Sequence, residues 1–330
     1  MSNPIESLRN YNVSDKDIER LKSIGITTIQ SLYMTSRKNL LNIKGFTEKK
    51  ISNIFNEANK IEVYNLFLKG SDFMNKRDNT IFKISTGSNN LDNIIEGGFE
   101  SNSITEILGE KNTSINEFIH TLMINGQKIN NKNKIMFLDL ERNNFNKDKI
   151  NIYAKVMNMN GKKCQGNISL INDIDSYEEL MDKLNEIYES EEIKECSLLI
   201  IDSLISIFQK LFQETMNNNN NNEINISIEK KIDIESKLGQ VLNILKKISH
   251  LYNIAIVLTR YINNDENLNE QNDLIKSDPN IEIILNYECK TRLKFKKIKN
   301  DKIKCIILNS PMISEKDCKF IITEKGILDC

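Results

Sequence analysis

The chain lacks the features that mark exported, membrane-spanning and disulfide-stabilised proteins. Residues 1–10 contain no apolar signal core, and no run of about 18 uncharged apolar residues occurs anywhere in the sequence. The six cysteines form no C-x-x-C pair, and only His120 and His250 could join them in a zinc site. These absences argue against a disulfide framework, a structural metal and a membrane partner, and they predict an intracellular protein.

An excess of charge of either sign is also missing. Lysine and arginine number 45 against 46 aspartate and glutamate residues, so the net charge is −1. Such a chain has no global attraction to nucleic acid, and any site for a polyanion must be a local patch. The hydrophobic fraction of 39% is sufficient for the core of one large domain and a second small one.

What the chain does contain is a stretch over residues 103–116 with the pattern of a strand, a tight loop and a helix start. This is the shape of a phosphate-binding loop, G-x-x-x-x-G-K-[ST], whose glycines turn backbone N–H groups onto phosphate. Only the first glycine is present, because Ser114, Ile115 and Asn116 occupy the second glycine, lysine and hydroxyl positions. The candidate nucleotide-binding residues are Gly109, Glu110, Lys111, Asn112, Thr113, Ser114, Ile115 and Asn116.

Apolar runs alternate with amphipathic segments from residue 80 onward. They predict strands at 81–84, 134–139, 168–171, 197–203, 254–259, 290–297 and 303–308, and helices at 91–95, 118–127, 147–157, 177–188 and 232–251. The run ending in Asp202 is the Walker B arrangement, in which the carboxylate holds Mg²⁺, although any buried parallel strand can end in aspartate. Alternation of this kind predicts a doubly wound α/β domain over 80–330. Residues 217–222 and 263–279 are polar and are predicted to be mobile surface loops.

Residues 1–61 have helical spacing and form the predicted N-terminal domain. Residues 41–50 place a glycine between two helices, which is a helix-hairpin-helix pattern. Such a hairpin directs backbone N–H groups outward, and its candidate DNA contacts are Lys44, Gly45, Lys49 and Lys50. The alternative is a small bundle with solvated lysines.

A second basic feature lies in the strand predicted near residue 290. Alternation there puts Lys290, Arg292, Lys294 and Lys296 on one face of the strand. The row is either a solvated outer face or a surface that follows DNA phosphates.

Read from end to end, the chain resembles the RecA/RadA family, in particular the eukaryotic nuclear strand-exchange recombinases and their meiotic relatives. The segments that carry the resemblance are 41–45, 85–88, 91–92, 97–98, 103–106, 119–122, 198–203, 291–293 and 310–311. The resemblance implies a RecA-like P-loop NTPase core, doubly wound around a mostly parallel sheet and preceded by the helical domain. It also implies an ATP- and Mg²⁺-dependent filament on single- and double-stranded DNA, acting in homologous recombination and DNA repair in the nucleus.

Roles carried over from the family fall on few residues. Glu141 takes the position that polarises the attacking water, Asp202 that of the Mg²⁺ carboxylate, and Pro311 lies in the ATP-cap segment. The departures lie where nucleotide is handled. Arg260-Tyr261 replaces an Asn-Gln pair that includes the γ-phosphate sensor, and Asn309 replaces the acidic residue of the ATP cap. Two further departures concern DNA. Ile281-Glu282 replaces the paired glycines of the second DNA loop, and the first DNA loop aligns with the asparagine-rich run.

Residues 62–79 are predicted to be a linker that carries an apolar island at 63–70. In the family a Phe-x-x-Ala segment of the linker enters a pocket on the neighbouring protomer, and here the aligned residues are Phe67 and Gly70. A phenylalanine that merely packs on the helical domain is the alternative. The linker would join the chain to a second copy or to an intact recombinase.

Three hypotheses follow from the sequence. The first is an ATPase-deficient paralog that binds DNA or recombinase filaments as an accessory subunit. The second is a divergent but active ATP-dependent recombinase, in which Lys111 replaces the missing lysine. The third is a degenerate relic with weak DNA binding.

Overall fold

The computed structural model describes residues 3–11, 13–61, 70–71, 74, 80–142, 144–217, 228–262, 279–299, 301–311 and 313–330. The chain divides into two units, residues 1–76 and residues 77–330. Phe67 and most of the predicted linker lie outside the described residues, as do residues 218–222 and 263–278 of the loops predicted at 217–222 and 263–279. Those interpretations therefore stay predictions.

The first unit is a helical bundle with its own core. A 3₁₀ helix at Ile5–Tyr11 precedes α1 (Asp15–Ser23), α2 (Ile29–Met34), α3 (Arg37–Leu41) and α4 (Glu48–Ile61). Side chains of Ser14, Thr28 and Ser36 accept hydrogen bonds from backbone N–H groups in the first turns of α1, α2 and α3. The spacing of apolar residues that predicted these helices also builds their core, which includes Ile18, Leu21 and Ile54.

The second unit is organised around a nine-stranded sheet. Its strands are β3 (Ser103–Gly109), β4 (Lys134–Asp139), β5 (Ile168–Ile171), β6 (Cys196–Asp202), β7 (Ala255–Tyr261), β8 (Thr291–Lys297), β9 (Lys302–Asn309), β10 (Asp317–Thr323) and β11 (Gly326–Asp329). They lie in the order β11-β10-β9-β8-β3-β7-β6-β4-β5. The pairs from β8 through β3, β7, β6 and β4 to β5 are parallel, and those from β8 to β11 are antiparallel. A separate two-stranded sheet joins β1 (Lys83–Ile84) to β2 (Phe99–Glu100).

Helices cover both faces of the parallel part of the sheet. One face packs on α5 (Asn89–Ile94), α6 (Ile115–Gly126), α7 (Lys147–Val156) and α8 (Gly161–Gly166), and the other on α9 (Tyr177–Glu189), α10 (Leu204–Asn217), α11 (Ile228–Tyr252) and α12 (Pro279–Glu288). Two large hydrophobic clusters fill these layers. The doubly wound, mostly parallel α/β core predicted from the sequence is confirmed.

Helix α12 occupies a stretch that the resemblance assigned to the second DNA loop. Ile281 and Glu282, which align with the paired glycines of that loop, lie in the first turns of this helix, and Ile281 is buried in the core. Both residues are helical, whereas the resemblance led us to expect a loop at this point. The consequence appears in the ion pairs described below.

Candidate nucleotide site and DNA-binding surfaces

The phosphate-loop position lies between β3 and α6. After Gly109 the chain forms a 3₁₀ turn at Lys111–Thr113, in which the Thr113 hydroxyl donates a 2.5 Å hydrogen bond to the Glu110 carbonyl. A Cβ on Gly109 would lie 2.7 Å from that hydroxyl oxygen and 3.0 Å from the Phe295 carbonyl oxygen. The one glycine that is kept from the P-loop pattern is therefore required by close packing of the loop.

Ser114 shows what replaced the second glycine. Its backbone is left-handed, with φ of 56° and ψ of 35°, and its side chain makes no capping hydrogen bond to α6. A left-handed conformation costs about 1–2 kcal/mol for a residue with a Cβ. The backbone shape of a glycine loop has been kept although the glycine has gone.

Ile115 occupies the lysine position and belongs to the core. It is 1% exposed and lies in the same hydrophobic cluster as Phe118 and Phe295. An isoleucine there supplies no positive charge to a phosphate. The neutral side chain instead anchors the first turn of α6.

Asn116, at the hydroxyl position, belongs to a chain of hydrogen bonds across the carboxyl ends of three strands. Its Nδ2 donates to Oδ1 of Asn144 (2.8 Å), and Nδ2 of Asn144 donates to Oδ2 of Asp202 (2.8 Å). The Tyr261 hydroxyl donates to Oδ1 of Asn116, and the Thr259 hydroxyl donates to Oδ1 of Asp202. Both oxygens of the predicted Mg²⁺ carboxylate are thus bonded to protein groups.

The pKa of Asp202 is raised because the carboxyl group is enclosed. The side chain is fully buried, and burial raises its pKa to about 7, although the hydrogen bond from Thr259 acts in the opposite direction. The neighbouring carboxylates of Glu141 and Asp139 raise it further. Burial and Asp202 together raise the pKa of Tyr261, so its hydroxyl remains a donor.

His120 supports the loop that carries Asn144. Its Nδ1 lies 2.5 Å from the Asn116 carbonyl oxygen, and its Nε2 accepts the Asn146 N–H at 2.8 Å. The ring is therefore neutral with its proton on Nδ1, and burial lowers its pKa. No local pattern in the sequence indicated the roles of His120, Asn144 and Thr259, because their contacts join separate strands and loops.

Glu141, the predicted water-polarising residue, is exposed just after β4. The next residue, Arg142, has a φ of 66° and pairs with Asp175. Before them, Asp139 is buried; its Oδ2 accepts the Asn144 N–H at 2.9 Å, and within the described residues its Oδ1 has no hydrogen-bond partner. Carboxylates remain at the ends of β4 and β6.

A cavity of about 630 Å³ opens beside the loop. Its lining includes Asn112, Ser114, Glu117, Lys149 and Tyr153, and Glu117 pairs with Lys149 across it. Burial raises the pKa of Tyr153 to about 12. The cavity has the volume of a small-molecule site, and four of its lining residues form the ion pairs Glu117–Lys149 and Lys297–Asp301.

Taken together, the residues do not fit a magnesium nucleotide. The cation for the β- and γ-phosphates is replaced by buried Ile115, and the metal carboxylate Asp202 is bonded on both oxygens. Asp139 Oδ1 is the one feature in this part of the described chain that favours a cation, and no group of three His, Cys, Asp or Glu residues in the described ranges has the arrangement of a metal site. Both carboxylate oxygens of Asp202 are engaged by Asn144 and Thr259.

A second network joins two other departures from the family pattern. Arg260 is 3% exposed, with Nε 3.1 Å from Glu106 Oε1 and Nη1 2.6 Å from Glu282 Oε1. Arg292, 2% exposed, completes the cluster with Nε 2.5 Å from Glu106 Oε2 and Nη2 2.8 Å from Glu282 Oε2. We call these four residues the ion quartet. It joins β3, β7 and β8 to helix α12 and has no net charge.

The ion quartet corrects one part of the predicted basic row. Arg292 was expected to face DNA, but its guanidinium is buried between two carboxylates and also bonds Asn286. Lys290 is bonded to Glu100 at 2.5 Å, Lys294 is half-buried, and Lys296 is exposed. Residues 291–293 are all buried and Lys290 precedes β8, so the predicted alternation holds only from Leu293 onward. Acidic residues neutralise Lys290 and Arg292.

Neighbouring strands extend the basic surface in a direction that the sequence did not indicate. Lys296 of β8 lies directly opposite Lys304 of β9, which lies directly opposite Lys319 of β10. Lys304 also pairs with Asp317 at 3.2 Å. We call Lys296, Lys304 and Lys319 the lysine ladder. Like charges directly opposite one another destabilise a sheet, so a ladder of this kind favours an anionic partner.

The predicted DNA-contact residues of the first unit all lie on its surface. Gly45 joins α3 to α4 with φ of 94°, and Lys44 and Lys49 are exposed. Lys50 is exposed but engaged, because its Nζ lies 3.2 Å from Oδ1 of Asp17. Lys44 and Lys49 therefore lie beside the hairpin and, unlike Lys50, do not pair with Asp17.

The remaining predicted positions are at the surface. Pro311 is exposed and lines a second cavity, of about 290 Å³, with Tyr287 and Lys290. Gly70 is exposed, and a Cβ built on it would meet no atom within 4 Å. Among the helices in the described ranges, none has the length and apolarity needed to cross a bilayer.

A parallel sheet whose β3 runs into a loop and helix, with carboxylates at the ends of β4 and β6, defines a RecA-like α/β core. The family model described as Rad51 matches residues 76–330. The meiotic recombination protein DMC1/LIM15 homolog of Homo sapiens is 31% identical over 98% of this chain and 92% of its own length. The DNA repair protein RAD51 of Mycosarcoma maydis is 27% identical over 99% and 92%. The chain belongs to the Rad51 family, within the eukaryotic branch of the RecA/RadA recombinases.

Proposed function

We propose that this protein acts in homologous recombination and DNA repair as an ATPase-deficient member of the Rad51 family. It binds DNA or associates with recombinase filaments, and it does so in the nucleus, where the family resemblance puts it. The observation that carries the proposal is the hydrogen-bond chain Tyr261–Asn116–Asn144–Asp202–Thr259, which engages both oxygens of the carboxylate that the family resemblance assigns to Mg²⁺.

The loss of hydrolysis follows from the chemistry of the replaced groups. Removing one oriented donor from a site that stabilises developing charge typically costs about 100- to 1,000-fold in rate. Here the lysine position is apolar, and the position of the metal-binding hydroxyl is an asparagine engaged by its neighbours. ATP and Mg²⁺, which the family resemblance implies, are therefore not expected to support turnover.

DNA binding is supported by two separate basic surfaces. The first is the hairpin at Gly45 with Lys44 and Lys49, and the second is the lysine ladder. Both surfaces present lysine, which contacts phosphates without reading the bases. Single- and double-stranded DNA of any sequence are the expected ligands.

Association with a second protomer is supported at the edge of the sheet. Strand β5 is the last strand at its end, and it has only β4 as a described neighbour. Leu170 on this short strand is 37% exposed. An open edge with an exposed apolar side chain can accept an extended segment by strand addition. The linker segment with Phe67 and Gly70, from a second copy or an intact recombinase, is the proposed occupant.

The test is calorimetric binding of ATP with and without Mg²⁺, combined with a DNA-stimulated hydrolysis assay on the same preparation. We expect neither Mg²⁺-dependent binding nor turnover. The matched variant Ser114→Gly/Ile115→Lys/Asn116→Thr restores the P-loop pattern and should gain binding, which shows that the assay can detect it. DNA-stimulated hydrolysis by the wild-type chain that Glu141→Gln abolishes would overturn the proposal.

A second candidate function is an active, divergent recombinase. It is favoured by the carboxylates kept at Glu141 and Asp202 and by the cavity beside the loop. Strand exchange that requires ATP and Mg²⁺ and is lost on Lys111→Ala would establish it. Affinity for single-stranded DNA that is absent, or independent of salt, would instead favour a relic.

A further inference from the structure

Two cysteines on adjacent antiparallel strands lie directly opposite each other at the antiparallel end of the sheet. Cys305 of β9 and Cys318 of β10 are register partners, and both are free thiols. Cα atoms of directly opposed residues in antiparallel strands are about 4.5 or 5.5 Å apart, according to the type of pair. Both distances fall within the roughly 4.4–6.8 Å range that a disulfide spans.

The side chains of the pair point to the same face of the sheet. Cys305 is fully buried in the cluster that contains Phe295 and Phe320, and Cys318 is partly buried against that cluster. Directly opposed side chains on one face of an antiparallel pair are neighbours, so bond formation requires little movement of the backbone.

The two thiols differ in exposure and in acidity. The hydrogen bond from Cys305 lowers the pKa of the Cys318 thiol, although burial and Asp317 act against it. Burial raises the pKa of the Cys305 thiol well above its usual value. The partly buried Cys318 is thus the thiol that ionises more readily, and the fully buried Cys305 is the resolving thiol.

The remaining cysteines differ from this pair. Cys164, Cys196 and Cys289 are buried on separate elements, and Cys330 is exposed at the last residue of the chain. In the register of the described sheet, no other cysteine has a cysteine partner. Selective oxidation of one pair is therefore expected.

We propose that Cys305 and Cys318 form a redox-sensitive thiol pair that peroxide oxidises to a cross-strand disulfide. The Cys318 thiolate attacks hydrogen peroxide, which forms an S–O bond, breaks the O–O bond and releases hydroxide that is protonated to water. Cys305 then attacks the sulfenic sulfur, the S–O bond breaks, and hydroxide leaves and takes up the Cys305 proton. In sum, two thiols and one peroxide give one disulfide and two waters.

The disulfide would close the segment 306–317 into a loop. That segment contains Ser310 and Pro311, the positions of the ATP cap in the family pattern. Oxidation would therefore restrict the connection between β9 and β10. The proposal does not depend on the proposed function, because it concerns only the chemistry of the pair.

The experiment treats the full chain carrying Cys330→Ser with one equivalent of hydrogen peroxide. Thiols are then counted by maleimide labelling in denaturant, and tryptic peptides are mapped by mass spectrometry. Cleavage after Lys304, Lys316 and Lys319 places the two cysteines on peptides 305–316 and 317–319. We expect the labelled thiols to fall from five to three, since six cysteines minus Cys330 leave five and the disulfide removes two. The two peptides should be linked and should separate on reduction.

Cys318→Ala and Cys305→Ala should each abolish the link. Because Cys318 is only partly buried, its alanine variant is expected to fold even if Cys305→Ala does not. Sulfenic acid or a glutathione adduct on Cys318 with Cys305 still a free thiol would overturn the proposal. So would an unchanged count of five thiols in folded, peroxide-treated protein.

Discussion

Arg260 and Glu282 form an ion pair in which Nη1 lies 2.6 Å from Oε1. In the family pattern, Arg260 replaces an asparagine beside the γ-phosphate sensor, and Glu282 replaces a glycine of the second DNA loop. The two departures are thus in direct contact. Since both also contact the retained pair Glu106 and Arg292, they are best understood as one coupled change.

The coupling can be measured by a double-mutant cycle. Arg260→Met and Glu282→Gln should show an interaction free energy of about 1–2 kcal/mol in urea unfolding. The value is kept low because the Glu282 side chain is 36% exposed and partly screened by solvent. Glu106→Gln, which leaves two buried guanidinium groups with one carboxylate, should cost more, about 3–5 kcal/mol. Additive single-variant effects would contradict coupling.

The stabilisation by Glu282 should depend on pH. Burial alone would raise the pKa of Glu282, but hydrogen bonds and charge from Arg260 and Arg292 outweigh it, so the pKa lies below the ordinary 4.5. The unfolded chain then binds more protons in this range, and stability falls as pH falls. The difference in unfolding free energy between wild type and Glu282→Gln should be full above pH 4.5 and shrink as pH falls through the folded pKa. An equal difference at all pH values would contradict this.

Ser114→Gly should stabilise the protein. The substitution removes the cost of the left-handed backbone at φ 56° and loses no capping bond, although glycine adds entropy to the unfolded chain. A net gain of about 0.5–1 kcal/mol is expected in denaturant unfolding. Ser114→Ala, which keeps the Cβ, is the matched control and should give no such gain.

Tyr261→Phe should destabilise the second unit. The substitution removes the donor to Asn116 Oδ1, in a site where Tyr261 is 8% exposed. Loss of one buried hydrogen bond with its partner left in place costs about 1–3 kcal/mol. Urea unfolding monitored by circular dichroism measures it, and an unchanged midpoint would show that the hydrogen-bond chain does not stabilise the fold.

The lysine ladder should be visible in the salt dependence of DNA binding. Lys296→Ala and Lys319→Ala should each weaken binding to single strands of any sequence and reduce the slope of log affinity against log salt by about 0.7. Lys183→Ala on α9, a lysine paired with Glu186, is the matched control and should leave the slope unchanged. If all three variants had the slope of the wild type, the lysine ladder would not be part of the DNA-binding surface.

Strands and helices with a strong local pattern could be predicted from the sequence. The strands at 134–139 and 168–171 have the predicted bounds, and helix α9 ends one residue later than expected. Helices α8, α10 and α12 and strands β10 and β11 were not predicted. Helix α8 and the two strands are short, and helices α10 and α12 adjoin the polar stretches that were assigned to loops.

The sequence predicted where the residues of the candidate site lie along the chain, but not which of them contact one another. The sequence located the loop, Asp202 and the replaced residues, because these follow buried strands. It could not show that Asn116 bonds Tyr261 across 145 residues, or that Arg292 is buried against Glu106 and Glu282. Those contacts depend on the order of strands in the sheet, which a local pattern does not contain.

The strand order also constrains how the protein folds during translation. Strand β3 lies between β7 and β8, so its two neighbours are residues 255–261 and 291–297. Pairing of strands so distant in sequence is slow, because a long loop must close before any contact forms. The apolar residues of β3 therefore have no partner strand until β7 and β8, near the end of the chain, have been synthesised. We therefore expect β3 to pair late in synthesis and to be prone to aggregation before that point.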